Sequence, residues 1–486
     1  MLISTKFKNL TIFFFALLLT VRCQEKKEEV FAPPTSEELN MEVPDVKHLL
    51  TKANESSRFE IQEGSINTID ESLNRLININ SEVTFQDVDG FGFALTGGSA
   101  SHLNQMSKSE QEKLLNELFG VDEGQIGLSF IRISIGSSDL DQDVFSYNDH
   151  QGGDLDTSHQ NFSLAPDEPV LIPMIKKILS VNPDIKIMAS PWSPPAWMKD
   201  NNSPKGGSLK EEFYNSYALY LLKYVQEMEA IGITVGYLSI QNEPLHDGNN
   251  PSMYMTAENQ REFIKGSLGP LFNDNSIETK IVIYDHNADR PDYPITILND
   301  TEAKKYVDGS AFHLYAGNID ALSVVRNAHP DKSIYFTEQW FGAPGNFSED
   351  LKWHTREVVI GSQRNWSRNV IEWNLSSNSD LEPHTDGGCN QCLGGITIDG
   401  DAVKRNAGYY VIAHISKYVR PGSVRISSDS SDDLPNVAYT TPDEKVVLLV
   451  LNNSDSRKEF NVVQGDVKFS TALDPGSVST YVWAKK

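Results

Sequence analysis

Two glutamates close apolar, β-rich runs. Glu243 ends Ser239-Ile240-Gln241-Asn242-Glu243-Pro244, and Glu338 ends Phe336-Thr337-Glu338, just ahead of Gln339 and Trp340. Two carboxyls about 5–5.5 Å apart across an anomeric carbon cleave a glycosidic bond with retention of configuration. One of them, protonated, helps the leaving oxygen depart. The other, ionised, attacks, and surroundings that push their pKa values apart divide the labour. A single strand-end Glu serves equally well as a helix cap or the partner of an arginine. The pair favours chemistry, with Glu243 read as the acid/base and Glu338 as the nucleophile. Asn242 stands where its amide reaches a sugar 2-hydroxyl, a hydrogen bond that strengthens in an oxocarbenium-like transition state. Pro244 stops the strand and stiffens the turn behind it.

Something must bring these side chains together. Eight short β-rich runs recur: 90–96, 130–136, 185–191, 236–243, 280–286, 310–315, 333–338 and 370–374. Amphipathic stretches lie between them, such as 109–119, 170–179, 213–231 and 257–268. Strands alternating with helices argue for a parallel α/β sheet, and eight such units suggest a closed (β/α)8 TIM barrel. In that fold, strand ends at one mouth carry the active site. The fourth and seventh strands then face each other across it. A doubly wound open sheet is the competitor. It wants a glycine-rich phosphate turn opening a helix, and after Gly90-Phe91-Gly92 come Phe93 and Ala94 instead. Beyond residue 421 short strands separated by turn formers read as a small antiparallel β-sandwich. The weak strands between 58 and 88 have no other sheet to enter and are assigned to it. The expected layout is a leader over 1–23, a flexible tether over 24–57, N-terminal sandwich strands over 58–88, the barrel over 89–420 and the C-terminal β-sandwich over 421–486.

With these elements in hand, the chain resembles glycoside hydrolase family 30. The resemblance rests on Gly90-Phe91-Gly92, the stretch from Ala189 through Pro191-Trp192-Ser193-Pro194-Pro195 to Met198, Asn242-Glu243-Pro244, and Thr337-Glu338. It spans roughly residues 60–486. It implies a retaining enzyme with its acid/base after strand 4 and its nucleophile after strand 7, and a side sandwich built from both ends of the chain. It also implies a sugar pocket. Asp139 grips the far hydroxyls, Trp192 donates from its indole, and Tyr315, beside His313, touches the nucleophile. Trp373 and Asn374 form the floor, and Trp340 belongs to the same mouth. Thr337-Glu338-Gln339-Trp340 and the loop from Pro383 to Gly394 look most like the β-1,6-glucanase branch. The reading is therefore hydrolysis of β-1,6-glucosidic linkages in β-1,6-glucan or at the branches of a β-1,3-glucan. A broader exo-β-glucosidase of the glucosylceramidase kind is the alternative. A catalytically idle glycan-binding lipoprotein is a further one, and the presence of both glutamates opposes it.

The remaining signals bound the setting. A net charge of -25 makes nucleic acid and anionic lipid poor partners, whereas a neutral β-glucan or oligosaccharide meets no long-range repulsion. Lys6 and Lys8 precede an apolar run ending at Val21, which reads as an export signal. Cys23 follows at once and fits lipidation, although Arg22 stands where such signals carry a small residue. The expected location is periplasmic, cell-surface through a lipid on Cys23, or secreted. Cys389 and Cys392 form a C-x-x-C, compatible with a metal half-site, a redox pair or a disulfide. No second half-site is legible, and an oxidising compartment favours the disulfide. No metal and no cofactor are expected. Endo or exo action depends on loop shape, which residue spacing does not encode.

Overall fold

The computed structural model describes residues 43–149 and 155–485. Residues 1–42, with the export signal, Cys23 and most of the expected tether, lie outside the described residues. Eight parallel strands form the barrel: β1 (Gly90–Ala94), β2 (Phe130–Ile135), β3 (Lys186–Pro191), β4 (Tyr237–Ser239), β5 (Lys280–Ala288), β6 (Val307–Gly317), β7 (Ser333–Glu338) and β8 (Asn369–Asn374). β1 to β7 pair in parallel in chain order, and β8 pairs back onto β1. The expected TIM barrel is thus the observed architecture. The close approach of β1 to β2 requires Gly92, because a Cβ there would sit 1.9 Å from the Phe130 carbonyl oxygen.

The seam between β7 and β8 closes by individual bonds instead of a continuous ladder. The Arg368 N–H donates to the Ile334 carbonyl at 2.9 Å and the Trp373 N–H to the Gln339 carbonyl at 2.8 Å. Between them the Asn369 side-chain oxygen accepts from the Phe336 N–H at 2.9 Å, standing in for a backbone carbonyl.

One apolar layer plugs the barrel: Phe130, Met188, Tyr237, Val282, Ala311, Tyr335 and Ile371, one residue from each of β2 to β8. Side chains alternate along a strand, so the next inward layer lies two residues further on. On β2, β3, β4, β6 and β7 those positions are Arg132, Ser190, Ser239, His313 and Thr337, all buried. On β5 the count would give Tyr284. Instead Tyr284 and Asp285 both have positive φ (72° and 61°), and the pairing with β6 shifts register there. This bulge turns Asp285 inward.

Helices such as Lys108–Phe119, Leu171–Val181 and Tyr214–Ala230 pack outside the strands, close to where apolar spacing put them. A nine-stranded antiparallel and mixed sheet forms the side domain, with Leu76–Asp87 embedded among C-terminal strands. Its strand Lys445–Leu451 is apolar from Val446 onward because both faces are covered. Val446, Leu448 and Val450 fill the sandwich core, while Val447, Leu449 and Leu451 join the barrel's outer core.

One expectation needs correcting. Within the stretch read as tether, Lys47–Thr51 is a strand, paired antiparallel with Val478–Ala484. Leu49 is buried, Leu50 enters the sandwich core, and His48 bridges Ser65 and Ser479. Five residues in a charged setting give too little periodicity to read, and only the waiting edge of the sheet makes them a strand. Among the described residues no helix is long and apolar enough to cross a membrane.

The seam bond yields a stability test. Asn369→Ala leaves the buried Phe336 N–H without an acceptor and is expected to cost about 1–3 kcal/mol in urea unfolding. An unchanged midpoint would show that the seam holds without it.

Candidate active site

At the C-terminal mouth of the barrel lies a cavity of about 320 Å³. Asp139, Trp192, Glu243, Tyr315, Glu338, Trp340, Trp373, Cys389 and Cys392 line it, together with His246, Asn249, His286 and Asn287. Trp192 and Trp373 meet at 5.4 Å between ring centres and join Leu140 and Cys392 in an apolar wall. Such a wall suits the C–H face of a sugar.

The two glutamates converge on one imidazole. His313 Nδ1 is 3.1 Å from Glu243 Oε1 and 3.8 Å from Glu338 Oε1, so those oxygens lie at most about 7 Å apart. Glu338 is gripped from two sides: Arg132 Nη1 donates to Oε2 at 2.5 Å and the Tyr315 hydroxyl to Oε1 at 2.9 Å. Glu243 has φ +46°, a left-handed conformation that aims a non-glycine side chain at some cost in strain.

Beneath both sits Asp285, fully buried. It accepts from Arg132 (2.8 Å), Ser190 (2.5 Å) and Ser239 (2.6 Å) on one oxygen, and from Thr337 (2.6 Å) and His313 Nε2 (3.1 Å) on the other. Arg132 Nη2 also donates to Asn242 Oδ1 at 2.7 Å. The polar inward layer is therefore one network, and the two glutamates hang from its upper face.

Charges in the network pull on one another. Burial pushes the Asp285 carboxyl up, but Arg132 and then His313 hold it well below the usual carboxylate range. Burial lowers His313, yet Glu338, Asp285 and Glu243 raise it to about 9, so it is an imidazolium at neutral pH. Burial raises Glu243 too, and His286 and His313 outweigh that and bring it below its ordinary value. Glu338 ends above its ordinary value: burial, with the charges of Glu243 and Asp285, exceeds the pull of His313 and Arg132. Across the cavity, burial and then the charge of Glu338 raise Asp139 to about 7.

The comparisons with known proteins bear on this arrangement directly. Residues 88–419 match the model of the glycosyl hydrolase family 30 TIM-barrel domain, and residues 422–481 match the family 30 beta sandwich domain. The chain belongs to glycosyl hydrolase family 30. It is a glycoside hydrolase. It is 32% identical over 419 residues to an endo-1,6-beta-D-glucanase of Neurospora crassa, covering 82% of this chain and 85% of that protein. It is 29% identical over 462 residues to the lysosomal acid glucosylceramidase of Mus musculus, covering 88% and 87%. Among solved structures, the endo-beta1,6-glucanase BT3312 superposes with a TM-score of 0.84 at 34% identity, over 91% of this chain and all of that one.

Most residues singled out from the sequence of this family 30 chain meet at the cavity, with three exceptions. His313 is fully buried below the cavity and holds Glu243 and Asp285. Asn242 is tied to Arg132. Asn374 does not reach the cavity wall: its amide donates to the Ser376 and Cys392 carbonyls and props the loop from behind. Cys389 and Cys392 are joined by a disulfide. Their loop is clasped to Asp139, whose Oδ2 accepts from the Cys389 N–H at 3.2 Å and whose carbonyl accepts from the Thr385 N–H at 3.0 Å.

Sequence reasoning missed Arg132, Asp285 and His286. Arg132 had a usable signal, since an arginine inside Phe130-Ile131-Arg132-Ile133 of a barrel strand points to a buried partner. Asp285 had none, because strict alternation puts Tyr284 inward and only the bulge exchanges them. The family 30 site also groups Glu243, His286 and His313, a cluster that three separate strand ends supply and that spacing along the chain does not show.

Asp139 supplies a pH test. Its folded pKa of about 7 exceeds the unfolded value of 3.8, so the native state keeps a proton that the unfolded chain loses between those values. Its contribution is fully present below pH 3.8 and is lost as pH rises through 7. Relative to Asp139→Asn, the wild type is expected to lose roughly 1.4 kcal/mol per pH unit across that window in denaturant titrations. Parallel stability curves for the two proteins would contradict it.

Proposed function

We propose that this family 30 hydrolase cleaves β-1,6-glucosidic linkages of β-glucans by double displacement. The observation that carries the mechanism is the meeting of Glu243 and Glu338 on His313 at the cavity floor, 3.1 and 3.8 Å from one nitrogen. A Glu338 oxygen attacks the anomeric carbon while the glycosidic C–O bond breaks. The leaving oxygen takes a proton from Glu243, and a glycosyl ester on Glu338 results. Water then gives a proton to Glu243, attacks the same carbon, and frees Glu338.

In the substrate-free site Glu338 is the more readily protonated of the two, whereas bond cleavage needs the proton on Glu243. Hydrogen bonding supplies the difference. Both Glu338 oxygens already accept, Oε2 from the Arg132 guanidinium and Oε1 from the Tyr315 hydroxyl, and these hydrogen bonds favour its ionised form. No described residue donates to Glu243 Oε2, which is free to carry a proton towards a substrate oxygen. A sugar in the cavity also excludes water and strengthens the attraction of Arg132 for an ionised Glu338.

The linkage reading draws on relatives, the Neurospora crassa endo-1,6-beta-D-glucanase and the endo-beta1,6-glucanase BT3312, and on the disulfide loop at the rim. For location, the apolar run ending at Val21 and the Cys directly after Arg22 support export and attachment through a lipid on Cys23.

Glu338→Gln is expected to abolish turnover while still binding glucan. Glu243→Gln is expected to slow glucan cleavage about 10²–10⁴-fold, and far less for a glucoside with a nitrophenolate leaving group that needs no proton. Unchanged hydrolysis by Glu338→Gln sinks the mechanism. Product profiles on a linear β-1,6-glucan beside a linear β-1,3-glucan test the linkage. Cleavage of the first alone is expected, and preference for the second refutes it. An oligosaccharide ladder marks endo action and glucose alone marks the exo action of a glucosylceramidase-like enzyme.

A further inference from the structure

Three ligand-type atoms converge at the end of β4, β5 and β6. His313 Nδ1 lies 3.1 Å and His286 Nδ1 3.6 Å from Glu243 Oε1, and each of the three residues brings one ligand atom within 4.8 Å of the others. A four-coordinate cation with bonds of about 2.0–2.1 Å to nitrogen and oxygen spaces its ligand atoms roughly 3.3 Å apart. The two gaps to Glu243 Oε1, 3.1 and 3.6 Å, bracket that edge length.

Two further features fit a metal better than a hydrogen-bonded cluster. His286 is only 7% exposed, and its Nδ1 is buried with no hydrogen-bond partner while aimed at Glu243. A buried ring nitrogen left unpaired is uncommon. The His313 Nδ1 proton, which faces Glu243 in the metal-free site, leaves as a cation binds there, while the other nitrogen, Nε2, meets the Asp285 carboxylate at 3.1 Å. A carboxylate behind the far nitrogen is the usual support of a metal-binding histidine, because it fixes the tautomer and makes the ring more basic.

We propose that Glu243, His286 and His313 form a three-ligand site for a borderline divalent cation of the Zn²⁺ or Cu²⁺ class. Two imidazoles and one carboxylate match that class by donor type, and Ca²⁺ or Mg²⁺ would require an oxygen-rich shell. The fourth position opens to the cavity, which Glu243 and His286 line, and takes water. The bound cation occupies the Glu243 oxygen and withdraws that carboxyl from proton transfer. The site therefore acts as an inhibitory lock on hydrolysis, and this consequence rests on Glu243 being the acid/base. Substrate and cation compete for the same space.

Direct binding separates the metal site from the catalytic reading. Glu338→Gln, which keeps all three ligands, is titrated with Zn²⁺ against a chromophoric chelator and with Co²⁺ followed by its visible absorption. One ion per chain is expected, with the intense bands of four-coordinate Co²⁺. His286→Ala and Glu243→Gln in the same background are expected to weaken Zn²⁺ binding by more than the 10–100-fold that follows loss of a supporting carboxylate alone. Circular dichroism checks that both variants are folded. No stoichiometric binding, or equal affinity in the His286→Ala variant, overturns the site. In the wild type, Zn²⁺ is expected to inhibit hydrolysis reversibly, with recovery on adding EDTA. Stoichiometric binding that leaves hydrolysis untouched overturns the lock and counts against Glu243 as the acid/base.

Discussion

A buried ion pair underlies this site. Arg132 and Asp285 carry opposite charges with no solvent access, 2.8 Å apart. Removing two charges from water is costly, and their mutual attraction offsets that cost only when the remaining donors and acceptors are also satisfied. The strand layer around them meets that condition on the Asp285 side, where Ser190, Ser239, Thr337 and His313 all donate. Taking away one member leaves a buried charge uncompensated, which is far more damaging than losing a surface ion pair. Conformational freedom at the barrel mouth is restricted for the same reason. Five strands are pinned to one carboxylate.

That rigidity is what the chemistry uses. Arg132 extends from Asp285 to Glu338 and to Asn242, so Glu338 and the residue beside Glu243 share one anchor. His313 extends from Asp285 to Glu243. Both glutamates are thus oriented through Asp285, one by a permanent cation and the other by an imidazolium. The apolar plug below, from Phe130 to Ile371, excludes water from the underside of the network and keeps its electrostatics strong. The tryptophan wall does the same from the side, with the Arg132 guanidinium 4.9 Å from the Trp192 ring centre.

The rim is assembled differently. Its loops are held by backbone clasps and the Cys389–Cys392 disulfide, not by strand pairing inside the barrel. Asp139 and the loop from Pro383 to Gly394 position each other, and Asn374 supports the loop from below. Scaffold and rim therefore answer to separate constraints: a buried charge network fixes the two glutamates, and surface loops shape the space in front of them. Such loops can vary in a barrel without disturbing the chemistry beneath.

Residue order along the chain was enough to establish the eight strands, the two glutamates at strand ends and the sandwich at the far end, because alternation and apolar run length are local properties. It also established most of the cavity lining, since side chains at strand ends share one mouth. Three things lay beyond it. Which residue of β5 turns inward depends on a bulge that shifts register by one, and no period-2 count contains it. The strand Lys47–Thr51 exists only because a sheet edge elsewhere in the fold receives it. The convergence of Glu243, His286 and His313 joins the ends of three strands far apart in the chain. Local sequence sets where a strand ends, and only the closed barrel brings separate strand ends within a few ångströms of one another.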